Sequence, residues 1–286
     1  MAGTVQRMII TPNRCFDTGS FAGFLNAIRN QLHRRDMVYQ LFKKEFFAGY
    51  AKSFIGSAWI VVSPVIGIIS WVFLHRANII RPGDVGIPYP AYILVGTLVW
   101  GLFMNITSAF MNAMANSRYL LLWTSIPHET VFSVQILLQV VHFFISFCVT
   151  IIILILFGIF PSLGILLFPV VLLPLILLAM AVGTIISVFS VISLDMRKGI
   201  TALLGLLLFV TPVIYSLDAV TNVWLQKVIY LNPLTYLVCS ARDILLFGRL
   251  YSAEGFFVST GLSVAAALVS WRVYYFSGDK VIERLI

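Results

Sequence analysis

Only 10% of the 286 residues are Asp, Glu, Lys or Arg, whereas soluble domains carry roughly a quarter. The shortage is uneven: residues 131–194, a run of 64, contain none of the four. About 20 apolar helical residues cross a bilayer core, so this run holds two spans and the turn between them. Such a chain is an integral membrane protein, and its mean hydropathy of +0.99 agrees. The same stretch lacks the carboxylates and amines that ion-coupled transporters and pumps place inside the membrane. The energy for any movement through it is therefore expected from elsewhere.

Other absences narrow the function further. The three cysteines, Cys15, Cys148 and Cys239, show no metal-binding spacing and read as packing residues. No HExxH, GxSxG, Walker A or GxGxxG pattern occurs. Of four histidines only His142 falls within a span, where a lone imidazole is a packing residue first and a ligand second. Two charge pairs could serve an embedded enzyme, Asp195 with Arg197 and Arg242 with Asp243. They are expected on opposite sides of the membrane, so the chain is not expected to be an enzyme on its own. No apolar core precedes Phe54, so no cleavable signal peptide is expected and the amino terminus should be cytoplasmic. The net charge of +8 is assigned to span flanks and anionic lipid heads, with no nucleic acid as partner.

What remains is an all-α membrane architecture with six spans. Residues 1–20 carry Pro12, Asn13 and Gly19 and read as a flexible tail. Residues 21–52 repeat apolar side chains at helical spacing between Arg34, Arg35, Lys43 and Lys44, which predicts a cytoplasmic amphipathic helix at the interface. A soluble helical pair packed on a partner is the alternative. A transmembrane domain over residues 53–275 follows, with spans near 54–74, 91–115, 131–157, 164–194, 199–216 and 255–272, and a cytoplasmic tail over 276–286. Six spans leave both termini on one side. They also place 14 of the 19 Lys and Arg there, as the positive-inside rule requires.

Residues 217–254 are too apolar for a solvated loop and too broken, at Asn232-Pro233, for a span. Short runs of this kind fit re-entrant helices that line or close a pathway. Aromatics make up 14% of the chain. Trp100, Tyr119, Trp123 and Tyr215 stand at span ends, where interfacial anchoring is the default and a path-facing role the sharper alternative.

These residues resemble a family. Arg35-Asp36, Lys43-Lys44-Glu45 and Tyr50-x-x-Ser53-Phe54-Ile55-Gly56-x-x-Trp59 precede Pro64 in the first span. Asn116-Ser117 and Pro127 lie in the loop after span two, and Asp195-Met196-Arg197 follows span four. Thr211-Pro212-Val213-Ile214-Tyr215 ends span five, and Leu231-Asn232-Pro233-Leu234-Thr235 with Arg242 precedes span six. In this order, over roughly residues 34–275, they are similar to the permease subunits of bacterial ABC exporters of polysaccharide: O-antigen, capsule and teichoic acid. Two departures stand out. Residues 121–127 lack the basic pair usual before the proline, and the amino terminus is longer than this family's usual start.

The resemblance implies a multi-pass half-transporter of the bacterial inner membrane. Two copies would form the path as a homodimer, and two separate ATP-binding cassette subunits, which hold ATP and Mg, would dock on the cytoplasmic side. This chain would carry no cofactor and no metal. The cargo would be lipid-linked polysaccharide, with membrane lipids and periplasmic or outer-membrane export components as further partners. ATPase coupling would fall to Asn116, Ser117, Arg118, Trp123, Pro127, His128 and Glu129, although an ordinary polar turn is the plainer reading of that loop. The interface helix would use Arg34, Arg35, Asp36, Lys43, Lys44 and Tyr50. Trp59, Phe209, Tyr215, Tyr230 and Tyr236 would line the path as the two copies separate along spans one and five. Two rivals stay open. One is an ABC exporter of a drug or lipid; the other is an ion-coupled secondary transporter built on His142 or on the helix break near Pro169 and Pro174.

Overall fold

The computed structural model describes residues 35–50, 58–77, 83, 85–116, 128–190 and 194–285, all of them helix or connecting turn with no β-strand among them. Nine α-helices occur in this set: α1 Arg35–Tyr50, α2 Trp59–Arg76, α3 Tyr89–Asn116, α4 His128–Leu156, α5 Phe168–Ser190, α6 Leu194–Val210, α7 Val223–Leu231, α8 Pro233–Phe247 and α9 Ala253–Leu285. Four helical stretches are long and apolar enough to cross a membrane: Tyr89–Asn116, Thr130–Leu156, Phe168–Val188 and Ala253–Tyr274. They coincide with the second, third, fourth and sixth expected spans. The first and fifth expected spans fall on the shorter α2 and α6, with residues 54–57 outside the described set.

The centre of the bundle is α5, which packs against α3 on one side and α9 on the other, with α8 and α6 nearby. Helices without a hydrophobic force between them associate through small residues that let backbones approach. Gly183 is that residue: a Cβ there would lie 2.6 Å from the Phe110 Cβ and 2.7 Å from the Thr107 carbonyl. The Thr107 hydroxyl crosses the same contact to the Ala179 carbonyl at 3.4 Å. Phe103, Ile106 and Leu175 fill the surrounding core. By contrast α4 turns Phe144, Ile152 and Leu156 outward, and α2 does the same with Ile66, Ile69 and Phe73. Apolar faces this large belong against lipid or another chain.

Contacts sort the helix ends into two groups. At one end the His75 ring, near the finish of α2, lies 4.4 Å from the Tyr89 ring that opens α3. The residues following α6 and the short α7–α8 pair join them there. At the opposite end Phe132 of α4 meets Phe110 at 5.1 Å and Tyr274 of α9 at 5.2 Å, and Thr201 of α6 reaches Met111 of α3. The α7–α8 pair therefore defines a hairpin end. Its single-residue corner is Asn232, whose side-chain oxygen accepts from the Leu234 N–H at 3.1 Å while Pro233 occupies the first helical position, where no N–H is needed. At 15 residues α8 is about 22 Å long, short of a ~30 Å bilayer core.

Two boundaries differ from expectation. Residues 195–198, expected as a loop, are the first turn of α6, where Asp195 suits the positive helix terminus. Residues 276–285, expected as a tail, continue α9 without a break. Of the interface helix, residues 21–34 and 51–52 lie outside the described set, and α1 begins at Arg35. It docks on α4 through the Gln135 side-chain amide, which donates to Glu45 at 2.9 Å, and through the Phe46 ring, 5.8 Å from that of His142.

Two tests follow from this packing. Gly183→Val forces β-carbon and methyls into the α3–α5 crossing and lowers the melting temperature in detergent, since overpacking costs about 1–3 kcal/mol or more. Burial raises the Glu45 carboxyl above its ordinary value, against the opposing pull of Gln135 and Lys44. A group raised in the docked state holds its proton more tightly there, so docking weakens as pH climbs from the ordinary carboxylate range through the raised value. A fluorophore on α1 should report this loosening, and Glu45→Gln should abolish its pH dependence.

Candidate functional site

After α6 the chain makes a sharp hook, Thr211-Pro212-Val213-Ile214-Tyr215. Pro212 cannot continue the helical ladder, and the Val213 N–H closes a tight turn onto the Thr211 carbonyl at 2.7 Å. A buried hook of this kind leaves carbonyls that need donors. Side chains from elsewhere supply them: Arg242 Nη1 donates to the Pro212 carbonyl at 3.0 Å, the Tyr89 hydroxyl to Ile214 at 3.1 Å and the Tyr92 hydroxyl to Tyr215 at 3.0 Å. The Asn232 amide donates to the Thr211 hydroxyl at 3.0 Å. Gly96 makes room for the hook against α3, because a Cβ at that position would sit 2.6 Å from the Val213 carbonyl.

Arg242 is the centre of the arrangement. Its side chain is 4% exposed, its Nε lies 3.2 Å from Asp243 Oδ1, and its guanidinium sits 3.9 Å from the centre of the Tyr92 ring. A buried charge persists only when paired and hydrogen-bonded, and here a carboxylate, a carbonyl and an aromatic face share the task. The far end of α8 is fastened as well. Ser162, in the α4–α5 turn, donates its hydroxyl to Ile244 at 2.7 Å and its N–H to Leu245 at 2.9 Å, which satisfies two last-turn carbonyls. Over this clamp opens a cavity of about 610 Å³, floored by Tyr92, Cys239, Arg242 and Asp243.

The expected site residues fall at different places. Phe209, Tyr215, Tyr230 and Tyr236 gather at the hairpin end, where the Tyr215 hydroxyl donates to the Phe209 carbonyl at 2.9 Å. Phe209 and Tyr230 are exposed, and Tyr215 and Tyr236 half-buried. Trp59 is exposed too but opens α2, and so lies a helix length away from the other four. Asn116 is the exposed last residue of α3, and His128 and Glu129 form the first turn of α4, both at the opposite end. Ser117, Arg118, Trp123, Pro127 and Arg34 lie outside the described residues. Arg35, Asp36, Lys43 and Lys44 stand exposed along α1, which Tyr50 closes.

Sequence reasoning missed Tyr89, Tyr92 and Ser162, whose partners are distant in the chain. Arg242-Asp243 was visible as a pair, and the signal that marks it structural is its place inside an otherwise apolar helix. The pairs Asp195–Arg197 and Arg242–Asp243 do sit at opposite ends. Among the described residues no three His, Cys, Asp or Glu converge on a point that could hold a metal ion. The bonds of the arrangement run to backbone carbonyls of the hook, so it fixes backbones.

Removing one member of the clamp should cost very different amounts. Arg242→Ala leaves the Asp243 carboxylate buried alone, a loss of about 3–5 kcal/mol, while Tyr92→Phe gives up one neutral hydrogen bond, about 1 kcal/mol. Melting temperatures of the two variants in detergent should fall in that order.

A family model described as ABC-2 type transporter matches residues 37–246, from α1 to the last turn of α8, hook and clamp included. The O-antigen export system permease protein RfbA of Myxococcus xanthus is 26% identical over 266 residues, covering 91% of this chain and 100% of that protein. Two proteins of the same name from Klebsiella pneumoniae are 23% and 22% identical over 221 and 218 residues, each covering 75% of this chain and 82% of its own length. This chain belongs to the ABC-2 type transporter family.

Proposed function

We propose that this chain is the membrane half of an ABC exporter that carries lipid-linked polysaccharide across the bacterial inner membrane. The observation that carries the reading is the match to a named O-antigen export permease over its whole length. The fold is compatible with it. Residues 131–194 bring α4 and α5 through the bundle without one ionisable Asp, Glu, Lys or Arg, so a partner must supply the work. Two ATP-binding subunits, each holding ATP and Mg, provide it from the end opposite the hairpin. Residues 116–130 and α1 are the parts of this chain that meet them.

In this reading α2 and α6 complete six spans, both termini are cytoplasmic, and the hairpin end is external. Two copies face each other across the apolar sides of α2 and α6, where Ile66, Ile69, Phe73, Leu203, Leu206 and Phe209 are exposed. Nucleotide binding draws the ATPases together and parts these faces. The hook ties α6 to the hairpin, so residues 217–254 move with α6 and act as the external gate. Phe209, Tyr215, Tyr230 and Tyr236 then lie along the exit, and Trp59 marks the entry. Flat amphipathic rings hold sugar faces without fixing the polymer in one register.

The decisive experiment is genetic. Cells lacking this chain should lose surface polysaccharide and accumulate its lipid-linked form inside, and unchanged surface glycan would remove the reading. Alanine at Tyr215 and Tyr230 together should cut export while leaving the complex assembled. Deleting residues 118–126 should release the ATP-binding subunit in pull-down; an intact complex would assign coupling elsewhere.

A further inference from the structure

The cavity above the Arg242 clamp is not required by the mechanism just described, and its size and lining suit a small ligand. Its volume of about 610 Å³ falls in the range of small-molecule sites, roughly 300–1,000 Å³. The floor carries Arg242 and Asp243, both buried and already paired, and the rim carries Asp218, Arg249 and the half-buried Tyr251. Two cations and two carboxylates balance, which disfavours a ligand of strong net charge.

The floor sets a fork of donors beside an acceptor. Arg242 uses Nε on Asp243 and Nη1 on Pro212, and Asp243 uses Oδ1. The Cys239 thiol also lies against the guanidinium, so a fork of donors and the Asp243 carboxylate stand side by side on the cavity floor. A fixed fork of donors beside a fixed acceptor matches neighbouring hydroxyls on a ring. The pair is held in place before any ligand arrives, so binding spends little on ordering it. Tyr251 adds an aromatic ring to the wall, and its neighbours Tyr230 and Tyr236 are close enough to interact with it. Charge balance, bidentate polar groups and an aromatic wall together describe a site for a neutral sugar.

We propose that this cavity is an external subsite for one or a few neutral sugar units, lying within each copy of the chain. It rests on the export reading, since exported glycan is what brings sugar to this end. There it would hold a sugar unit beside the gate and oppose backsliding of the polymer between cycles.

The test uses the full complex with its ATP-binding subunits in lipid nanodiscs. Free glucose, galactose, mannose, rhamnose and N-acetylglucosamine are offered singly, with glycerol as a control, and saturation transfer from protein to sugar is read by NMR. At least one sugar should give a signal that glycerol does not. Tyr251→Ala and Asp218→Asn, both near the cavity mouth, should weaken it roughly tenfold with an unchanged melting temperature. No signal from any sugar, an equal signal from glycerol, or an undiminished signal in both variants would overturn the subsite. Loss of surface polysaccharide in cells without this chain, combined with any of those results, would sink the subsite alone. Surface polysaccharide that persists without the chain would overturn the export reading and the subsite with it.

Discussion

A guanidinium buried at the end of an apolar bundle is the constraint around which the hairpin end is arranged. Arg242 cannot be left without partners, and those it takes come from three parts of the chain: Asp243 beside it, the Pro212 carbonyl of the hook and the Tyr92 ring of α3. Satisfying one charge therefore joins α3, α6 and α8. The hook in turn exposes the carbonyls that Tyr89 and Tyr92 occupy. Electrostatic need and backbone need are met by the same few side chains, which is economical in a region with few polar groups to spare.

Among the described residues, the contacts named at the two ends differ in kind. At the hairpin end, polar side chains close on backbone carbonyls across long sequence separations. At the opposite end Phe110 packs on Phe132 and Phe132 on Tyr274, and Thr201 makes one long hydroxyl–sulfur approach to Met111. Directional bonds fix geometry, whereas ring packing tolerates small displacement. The dock of α1 on α4, through Glu45 and Gln135, adds one directional contact on the flank.

Much of this was legible in the residues. Absence of charge fixed the course of α4 and α5, and the Asn232-Pro233 break marked the corner between α7 and α8, because capping and the missing proline N–H are local physics. The joint motif pattern carries the family resemblance without reference to the fold. Local rules failed where partners are remote: nothing near Tyr92 announces Pro212, Tyr215 or Arg242, more than a hundred residues on. They also failed at helix ends. Asp195 and Arg197 read as a loop because charge usually marks one, yet the helix dipole welcomes Asp195 in the first turn. Trp59 and Tyr215 are expected along one path through spans one and five, and the direction of α2 puts them at opposite ends of the bundle.

Count the points at which α8 is fastened. Asn232 holds Thr211, Arg242 holds Pro212, and the carbonyls of Ile244 and Leu245 hold Ser162 in the α4–α5 turn. One attachment lets a rod swing, whereas attachments near both of its ends hold its direction. In the language of frames, α8 is a cross-brace that triangulates α6 with the α4–α5 turn. Any tilt of the long helices must then carry this braced corner with it, because α8 ties the hook after α6 to the α4–α5 turn.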